Sequence, residues 1–526
     1  MTVVAAEQTR DRGALGVEVV ELTGDLADLR LDPELAGARL HLRLHGIPVG
    51  YTTSYARRGV VDVLSAIRSS LAGATGRGIF AALARTALES PVLSSRDLVA
   101  DLWSRAPAMP HPARVTLTIA ICTRGRPDGV ARTLASLEAE KCEGMDVVVI
   151  DNAPTDDRTR QIVARMPWVR YDVEPTPGLD RARNRALHFA TGDVVAFADD
   201  DVIVDSGWCA AVRCVFDDNP DLTLMTGLVE PDAMNTQAQR WFEAYGGFGR
   251  GYVPRWIHAP GASSRAIAFP LANTGQFGTG ANLAIRRNHA LRLGGFDSAL
   301  DVGTPTKGGG DLEMMFRVLK ANGLLCYAPS ASVRHTHRLT WDELASQIES
   351  WGSGMAAHLT RTARAHPEER LSVAALRAWL YASWFARRLA TSYVRTPFPR
   401  TLIVREIRGS FAGSRLYSHA SRQEPPPPRT PALNQDGAAG RQATADVKLG
   451  SPLAPLAAAG ASRIQISVHR EREMLGSLTL PIVGGVVGAT RLRDTIAARW
   501  GREILGQDAS SVLRRVGEFL TRGAHA

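Results

Sequence analysis

The chain has 526 residues, of which 45% are hydrophobic and 22% are charged, so a wholly disordered chain is excluded. The length predicts about three or four domains. The net charge of +9 comes without a long basic run, so nucleic acid is not an expected partner. Five cysteines with no CxxC spacing argue against a disulfide framework and fit a reducing compartment. With no signal pattern and no run of 18 apolar residues, we expect a cytoplasmic protein without membrane spans.

Residues 1–110 predict a small α+β module. In residues 39–45, leucine alternates with arginine and histidine, which predicts a strand with one apolar face. Glycine and proline in residues 46–50 predict a turn, and residues 60–71 have a helical pattern. The sequence does not indicate what this module does.

Residues 111–340 alternate apolar strands with helices, which is the pattern of an open sheet covered on both faces. The four consecutive apolar residues 147–150 are typical of a strand that is buried on both sides. The predicted strands are 115–122, 145–150 and 193–198, and the predicted helices are 128–138, 158–165 and 179–190. We therefore predict an α/β core with a Rossmann-like sheet in this part of the chain.

The remainder predicts three further segments. Residues 341–422 have the pattern of a helical extension. Residues 423–450 include four consecutive prolines and predict a flexible linker. Residues 451–526 predict a second α+β module, because residues 463–469 repeat the alternation of the first module. The linker would separate this module from the rest of the chain. We expect a duplicated module, and two unrelated hairpins are the alternative.

Polar residues follow three of the central strands, at the edge where open α/β sheets bind their ligands. They are residues 123–127, 151–152 and the triple aspartate 199–201. Three adjacent carboxylates repel one another unless a cation is present. On an extended segment Asp199 and Asp201 point to the same side, which suits Mg²⁺ or Mn²⁺. A solvated turn or a helix cap is the alternative.

In this order, residues 119–127, 147–152, 178–186 and 198–202 resemble the motifs of the family 2 inverting glycosyltransferases. The resemblance covers about residues 113–340. It implies a GT-A fold, the nucleotide-diphospho-sugar transferase core. It also implies transfer of a sugar from a nucleoside-diphosphate sugar to a hydroxyl acceptor, with Mg²⁺ or Mn²⁺ as cofactor. UDP is the expected nucleotide, GDP and dTDP remain open, and the product would be a glycan, a glycolipid or a glycosylated metabolite.

The resemblance also implies the site residues. Asp199, Asp201 and His335 would hold the metal, and Asp311 or Glu313 would be the catalytic base. The residues expected to bind the nucleotide sugar are Thr123, Arg124, Arg126, Asp151, Arg183, Asp200, Gly280 and Asn282.

Two of these assignments leave alternatives. The family has an acidic residue before the base, but this chain has Gly310, so either Asp311 or Glu313 remains possible. We favour Asp311, which alternatively serves only as a helix N-cap. His337 shares a strand face with His335 and is a weaker candidate for the metal.

Two other functions are compatible with some of these motifs. A nucleotidyltransferase would use the same aspartates, but it needs a glycine-rich basic loop, and residues 123–127 are too short for one. The alternative that we retain is a non-catalytic scaffold with the same fold that binds sugar nucleotides or carbohydrates. The missing acidic residue at position 310 mildly favours this scaffold.

Two aromatic segments have two interpretations each. Residues 241–248 combine aromatic residues with glycine, which suits either a mobile flap on the acceptor side or a small core under a loop. Residues 371–393 are amphipathic and rich in aromatic residues and arginine. They would touch the inner face of a membrane peripherally or pack against the neighbouring domain. The oligomeric state is not indicated.

Overall fold

The structure is a computed structural model. It describes residues 13–89, 97–105, 114–140, 145–259, 272–394, 398–428, 433, 441–450, 453–470 and 473–523. A central mixed sheet packs against a helical extension on one side and against the two terminal modules on another.

The N-terminal module has a three-stranded sheet and a separate two-stranded sheet, covered by helices. Its strands are β1 (Ala14–Glu21), β2 (Leu29–Arg30), β3 (Leu35–Leu44), β4 (Ile47–Tyr55) and β5 (Val60–Val61). Its helices are α1 (Val63–Ser70), α2 (Ala74–Glu89) and α3 (Leu98–Ser104). Strand β3 lies between β1, which is parallel to it, and β4, which is antiparallel. As predicted, the leucines of β3 share one face, and that face packs on the helices.

The central domain contains one nine-stranded sheet. Its strands are β6 (Leu117–Thr123), β7 (Met145–Asn152), β8 (Val169–Glu174), β9 (Val194–Asp199), β10 (Val202–Val204), β11 (Leu222–Pro231), β12 (Arg255–His258), β13 (Asn282–Arg286) and β14 (Leu324–His335). Its helices are α4 (Pro127–Ala139), α5 (Arg158–Val163), α6 (Leu179–Phe189), α7 (Trp208–Asp217), α8 (Gln237–Tyr245), α9 (Arg287–Arg292) and α10 (Gly310–Lys320). The strand order is β10-β14-β11-β13-β9-β6-β7-β8, and β12 pairs with β14. The predicted α/β core with a mixed Rossmann-like sheet is confirmed.

Strands of this sheet are buried on both faces, as their continuous apolar runs predict. In β7, Val147 and Val149 belong to the core on one face, and Val148 and Ile150 belong to the core on the other. All four are essentially inaccessible to solvent. The sheet is therefore a rigid support for whatever its strand ends present.

The strand directions bring four segments to one edge of the sheet. Strands β6, β7 and β9 are parallel, so their carboxyl ends lie together. Strand β13 is antiparallel to β9 and pairs Asn282 with Ala198, so the loop before β13 reaches the same edge. Strand β10 is antiparallel to β14 and pairs Val202 with His335. This last pairing brings His335 to the triple aspartate.

The helical extension has helices α11 (Trp341–Ala365), α12 (Arg370–Trp379), α13 (Ala386–Val394) and α14 (Arg400–Gln423), with a π-helical turn at Leu380–Phe385 between α12 and α13. Helices α11 and α14 pack closely because glycines leave room: a Cβ at Gly352 would lie 2.0 Å from the backbone oxygen of Glu406, and one at Gly409 would lie 1.9 Å from that of Glu349. Among the helices of the described ranges, none is both long enough and apolar enough to cross a membrane.

The C-terminal module has the same strand pairing as the N-terminal one. Its elements are β15 (Gln442–Leu449), β16 (Leu456–Ala457), β17 (Arg463–Arg470), β18 (Glu473–Pro481), β19 (Val486–Val487), α15 (Ala489–Leu505) and α16 (Ala509–Gly523). Strand β17 is parallel to β15 and antiparallel to β18, as β3 is to β1 and β4. Strand β16 pairs with β19 as β2 pairs with β5. The topology supports the predicted duplication, which stays a prediction about ancestry.

Two expectations about this end of the chain need correction. The C-terminal module is not set apart, because its apolar residues and those of the N-terminal module form one hydrophobic core. The predicted linker 423–450 also ends too late, because residues Gln442–Leu449 form β15. Residues 429–432 and 434–440 of that linker lie outside the described residues. Before them, Arg361 donates to the Pro427 carbonyl at 2.8 Å, so part of the proline run is docked on the helical extension.

Candidate active site

A cavity of about 2140 Å³ opens at the sheet edge where the strand ends meet. Small-molecule pockets usually measure about 300–1,000 Å³, so this cavity has room for two substrates. All parts of the chain before the linker contribute to its wall. Arg39, Tyr51 and Arg77 come from the N-terminal module, and Trp384 and Arg388 come from the helical extension.

Asp199, Asp201 and His335 form a cluster at the base of this cavity. Their potential ligand atoms all lie within 4.8 Å of one another. His335 Nε2 is 3.1 Å from Asp201 Oδ1. The end of β9 supplies Asp199, and the pairing of β10 with β14 supplies the imidazole. The structure thus brings together the three residues that the sequence predicts as metal ligands.

The electrostatics of this cluster suit a bound cation. Burial and the neighbouring Asp201 raise the pKa of Asp199 to about 6. Burial would also raise the pKa of Asp201, but His335 and Arg126 outweigh it and hold that pKa below its usual range. Two carboxylate oxygens are ligands that Mg²⁺ and Mn²⁺ accept, and an imidazole nitrogen suits transition metals. The donor set therefore fits a divalent cation such as Mg²⁺ or Mn²⁺.

The loop after β6 is tied to the triple aspartate. Thr123 Oγ1 donates to Asp200 Oδ2 at 2.7 Å. Arg126 Nη1 donates to Asp200 Oδ1 at 2.9 Å and to Asp201 Oδ2 at 2.8 Å. Both oxygens of Asp200 are therefore used to hold the loop in place. Thr123, Arg126 and the exposed Arg124 line the cavity next to the cluster.

Arg183 lines the cavity and lies among carboxylates. Its Nη1 donates to Asp180 Oδ1 at 3.0 Å and to Asp301 Oδ2 at 2.8 Å. The guanidinium is buried, and its charge also acts on Asp199 and Asp311. Because it faces the cavity, this cation can offset negative charge on a bound anion.

Asp311 faces the cavity from the first turn of α10. Its Oδ2 accepts from the Gly280 N–H at 2.7 Å, and its Oδ1 accepts from the Leu312 N–H at 2.8 Å. Burial and the nearby Asp301 raise the pKa of Asp311. A raised pKa makes a carboxylate a stronger base, which is what removal of a hydroxyl proton requires. A Cβ at Gly280 would lie 3.1 Å from Asp311 Cβ, so glycine permits this approach.

Steric crowding explains why position 310 is a glycine and not an acidic residue. A Cβ there would lie 1.9 Å from Asp180 Oδ2, so the carboxylate of Asp180 occupies the space beside Asp311. Asp180 is buried, and this oxygen has no hydrogen-bond partner among the described residues. Burial and Asp301 raise the pKa of Asp180 well above its ordinary value. An acidic group is therefore present beside Asp311, although it comes from α6, and the sequence analysis missed it.

Glu313 is not placed to act as a base. It is buried, and its Oε2 accepts from Arg317 Nε at 2.7 Å. Its Oε1 lies 3.5 Å from Arg361 Nε. It is not among the residues that line the cavity. The prediction of Glu313 as a possible catalytic residue is wrong because its position on α10 faces the helical extension.

Asn282 also lies away from the cavity. Its Oδ1 accepts from Trp208 Nε1 at 3.1 Å. Its Nδ2 donates to the carbonyls of Leu228 and Ala331, both at 2.9 Å. The side chain joins neighbouring strands of the sheet and has no free donor for a sugar. The loop itself lies at the site, because Gly280 lines the cavity, but the prediction that Asn282 binds the nucleotide sugar is wrong.

Asp151 is buried at the end of β7, beside the cavity-lining Asn152. Its Oδ2 accepts from the Tyr171 hydroxyl at 2.8 Å. Its Oδ1 has no hydrogen-bond partner among the described residues. Burial raises the pKa of Asp151. This oxygen is itself buried, and Asp151 is not among the residues that line the cavity.

The aromatic segment 241–248 forms most of α8 and a packed turn. Trp241, Phe242 and Tyr245 belong to a small core that includes residues of the helical extension. This arrangement favours the interpretation as a satellite core over the mobile flap. The glycine-rich residues 246–251 that follow line the cavity.

The sequence analysis also missed the contribution of the N-terminal module. Arg39, Tyr51 and Arg77 line the cavity although they lie far from it in the chain. The signal that could have found the first of them is the polar face of β3, where every second residue of 39–43 is cationic or titratable. A strand face of that kind, once buried, needs acidic partners.

Comparison with known proteins gives three findings. Residues 118–290 match the model of Glycosyl transferase family 2. A pre-mycofactocin glycosyltransferase of Mycobacterium tuberculosis is 26% identical over 287 residues, which are 52% of this chain and 53% of that protein. A glucosyl-dolichyl phosphate glucuronosyltransferase of Haloferax volcanii is 22% identical over 187 residues, which are 35% of this chain and 56% of that protein.

The chain therefore spans about half the length of these curated relatives. Among solved structures, a mannosyltransferase from Pyrobaculum calidifontis in complex with GDP-Man and Mn2+ aligns with a TM-score of 0.38 at 16% identity. That alignment covers 66% of this chain and 98% of the other.

Proposed function

We propose that the protein is a metal-dependent inverting glycosyltransferase, because residues 118–290 match the model of Glycosyl transferase family 2. It would move a sugar from a nucleoside-diphosphate sugar to a hydroxyl acceptor. The observation that supports this most directly is the cluster of Asp199, Asp201 and His335 at the base of a cavity that also contains Asp311.

The cluster would hold the cation against the diphosphate of the donor. A divalent cation there supplies charge stabilisation for the leaving diphosphate. Arg183 faces the same cavity as a fixed positive charge, and Arg126 and Arg124 lie on the loop beside the cluster. These three guanidiniums can hydrogen-bond phosphate oxygens.

Asp311 would take the proton from the attacking hydroxyl. It faces the cavity, its pKa is raised, and two backbone N–H groups fix its orientation. A single base of this kind supports direct displacement, which inverts the anomeric centre. Asp180 lies beside it as a second buried carboxyl group, in the space that Gly310 leaves open.

UDP is the nucleotide that we propose. Asp151 Oδ1 has no hydrogen-bond partner among the described residues, and we propose that it accepts an N–H from a nucleobase that binds beside the cavity-lining Asn152. A pyrimidine imide offers one such N–H group. Thymine has the same imide N–H and guanine also has N–H groups on its edge, so a panel of UDP, GDP and dTDP separates the three.

The acceptor would enter where the helical extension borders the cavity. The Arg388 guanidinium lies 4.0 Å from the centre of the Tyr245 ring and 4.6 Å from that of Trp384. Further along the same helices, Leu371 is 85% exposed and Tyr393 is 67% exposed. We propose that residues 371–393 touch a lipid surface peripherally and that the acceptor is amphipathic. Sedimentation with anionic vesicles tests this, and binding that is unchanged in Leu371→Glu would contradict it.

Turnover of sugar nucleotides by three proteins tests the enzymatic proposal. We expect the wild type to release the nucleoside diphosphate from one donor of a UDP, GDP and dTDP panel. We expect Asp311→Asn to bind that donor but to lose turnover, and Asp201→Ala to lose both. Donor binding without turnover in the wild type, with any acceptor, would instead support the non-catalytic scaffold.

A further inference from the structure

A chain of hydrogen bonds connects the metal cluster to the N-terminal module. His335 Nδ1 lies 3.2 Å from His337 Nδ1. His337 Nε2 lies 2.9 Å from Glu243 Oε1. Arg39 Nη1 donates to Glu243 Oε2 at 2.6 Å. Arg39, His335 and His337 are buried, and the Glu243 side chain is only 14% exposed.

In this chain of hydrogen bonds, the chemistry of each group determines which one donates and which one accepts. Glu243 as a carboxylate only accepts, so His337 carries its hydrogen on Nε2. The Nδ1 of a neutral His337 is then an acceptor, and His335 must donate from its own Nδ1. Because Nδ1 of His335 is engaged with His337, Nε2 is the nitrogen that remains to bind a cation, and it lies 3.1 Å from Asp201. A metal ligand needs its lone pair on the ligating nitrogen.

Aromatic rings hold both imidazoles in this orientation. The ring centre of Phe242 is 4.5 Å from that of His337, and the ring centre of Phe248 is 5.0 Å from that of His335. Phe242 is on α8 with Glu243, so one helix supplies the acceptor and one of the packing rings. Rotation of either imidazole would break the hydrogen-bond chain and displace these rings.

The N-terminal module fixes Arg39, which is the end of the hydrogen-bond chain farthest from the metal cluster. The guanidinium of Arg39 lies 4.0 Å from the centre of the Tyr51 ring, and both residues belong to the module's sheet. Strand β3 is buried along this stretch, so Arg39 has little freedom. The module therefore determines where the carboxylate of Glu243 lies.

We propose that Arg39 and Glu243 are positioning residues of the metal site: together with His337 they fix the tautomer and the orientation of His335. The N-terminal module is then a structural part of the active site. This inference rests on the proposed function, because it presupposes a cation at Asp199, Asp201 and His335. Groups that orient a metal-bound histidine typically contribute about 10- to 100-fold to metal affinity or activity.

The test is Mn²⁺ affinity, measured on the full chain by electron paramagnetic resonance, with Mn²⁺ alone as the probe. We expect Glu243→Gln and Arg39→Met each to weaken Mn²⁺ binding by about 10-fold or more. In the first variant the amide cannot offer oxygens to both His337 and Arg39. In the second, Glu243 loses the cation that holds it. Arg39→Lys, which keeps the charge, should recover part of the affinity.

Arg43→Met is the matched control. Arg43 lies on the same face of β3, is buried, and pairs with Glu230 at 2.5 Å and with Asp205 at 2.7 Å. Its loss weakens the same interface without touching the chain to His335. We expect its Mn²⁺ affinity to equal that of the wild type. An equal loss in Arg43→Met would overturn the inference, because the effect would then come from general loosening.

The outcomes separate this inference from the proposed function. Unchanged Mn²⁺ affinity in Glu243→Gln and Arg39→Met, with normal binding by the wild type, would overturn only the positioning role. Absence of Mn²⁺ binding by the wild type, or full binding by Asp201→Ala, would overturn the proposed metal site. Circular dichroism checks the fold of each variant. If Arg39→Met does not fold, Glu243→Gln decides, because it keeps the size of the side chain.

Discussion

Strands β3 and β17 have the same sequence pattern, but their polar faces have different surroundings. In β3, Arg39, His41 and Arg43 are buried against the central domain. In β17, the corresponding Arg463 and Gln465 are exposed. The apolar faces of both strands lie in one shared core. Alternation therefore predicts the strand and its apolar face, while the fate of the polar face depends on what the rest of the chain places over it.

The two modules also meet the central domain with different electrostatics. Glu230 contacts His41 at 2.8 Å and Arg43 at 2.5 Å, and these two neighbours outweigh burial and lower the pKa of Glu230. Asp221 has a weaker contact, with Arg491 of α15 at 3.4 Å, and burial raises the pKa of Asp221 to about 6. The N-terminal interface thus stabilises the charged form of Glu230, and the C-terminal interface destabilises the charged form of Asp221.

The largest expected difference is between two arginine substitutions at corresponding positions. Arg39→Met leaves Glu243 in a buried position without its arginine, and we expect the free energy of unfolding to fall by about 3–5 kcal/mol. Arg463→Met changes an exposed side chain, and we expect a change within about 0.5 kcal/mol. Urea unfolding of both full-length variants measures the difference. Equal losses would show that the polar face of β3 contributes no more than that of β17.

The next effect concerns pH at the C-terminal interface. The pKa of Asp221 is about 6 in the folded chain against 3.8 ordinarily, so the folded state binds the proton more tightly. The contribution of this group is present below pH 4 and is lost as the pH rises to 6. Asp221→Asn has no such carboxyl group, so its free energy of unfolding should rise by about 2 kcal/mol relative to the wild type between pH 4 and pH 7. A constant difference across that range would contradict the assignment.

The opposite sign is expected at the N-terminal interface. The folded pKa of Glu230 lies below its ordinary value of 4.5, so its contribution is present above pH 4.5 and is lost as the pH falls. Relative to Glu230→Gln, the wild type should lose at most about 1.4 kcal/mol between pH 4.5 and pH 3.5. Unfolding midpoints across this range measure it. A wild type that gains on the variant in acid would reverse the account of this interface.

The smallest effect concerns a single hydrogen bond of the C-terminal module. Trp256 Nε1 donates to Asp494 Oδ2 at 2.9 Å, and Asp494 also pairs with Arg85 at 2.7 Å. Trp256→Phe removes the donor but leaves the carboxylate paired, so we expect a loss of about 1 kcal/mol. Thermal unfolding is sensitive enough to detect it. A loss several times larger would mean that Asp494 depends on the indole more than on Arg85.

The central sheet and its ligand edge were predictable from the sequence. Continuous apolar runs indicate buried strands, and polar residues that follow parallel strands must meet at one edge. Asp199 accordingly lines the cavity, while Asp151 lies at the same edge behind its lining. His335 was predictable as a metal ligand from the resemblance, although its strand ends at His335 and does not include His337. These conclusions depend on neighbours in the sequence, where periodicity is a direct signal.

Side-chain partners from distant segments were not predictable in the same way. Asn282 is satisfied by Trp208, which lies 74 residues away, and nothing near it in the sequence shows this. The ion pair of Glu313 could have been predicted, because Arg317 follows it by four residues on a helix and that spacing favours an ion pair. The approach of Asp180 to Gly310 depends on how α6 packs against α10. The sequence does not show this packing, so it could not reveal that Gly310 leaves room for the carboxylate of Asp180.

The most direct test of the central claim is the binding of nucleoside diphosphates with and without Mn²⁺, followed by thermal shift. A ligand at about 100 times its dissociation constant should add close to 2.7 kcal/mol of stability. We expect one diphosphate to stabilise the wild type only when Mn²⁺ is present, and we expect Asp201→Ala to lose this response. If no diphosphate stabilises the wild type with Mn²⁺, Asp199, Asp201 and His335 do not form a donor site and the proposed glycosyltransferase activity is contradicted.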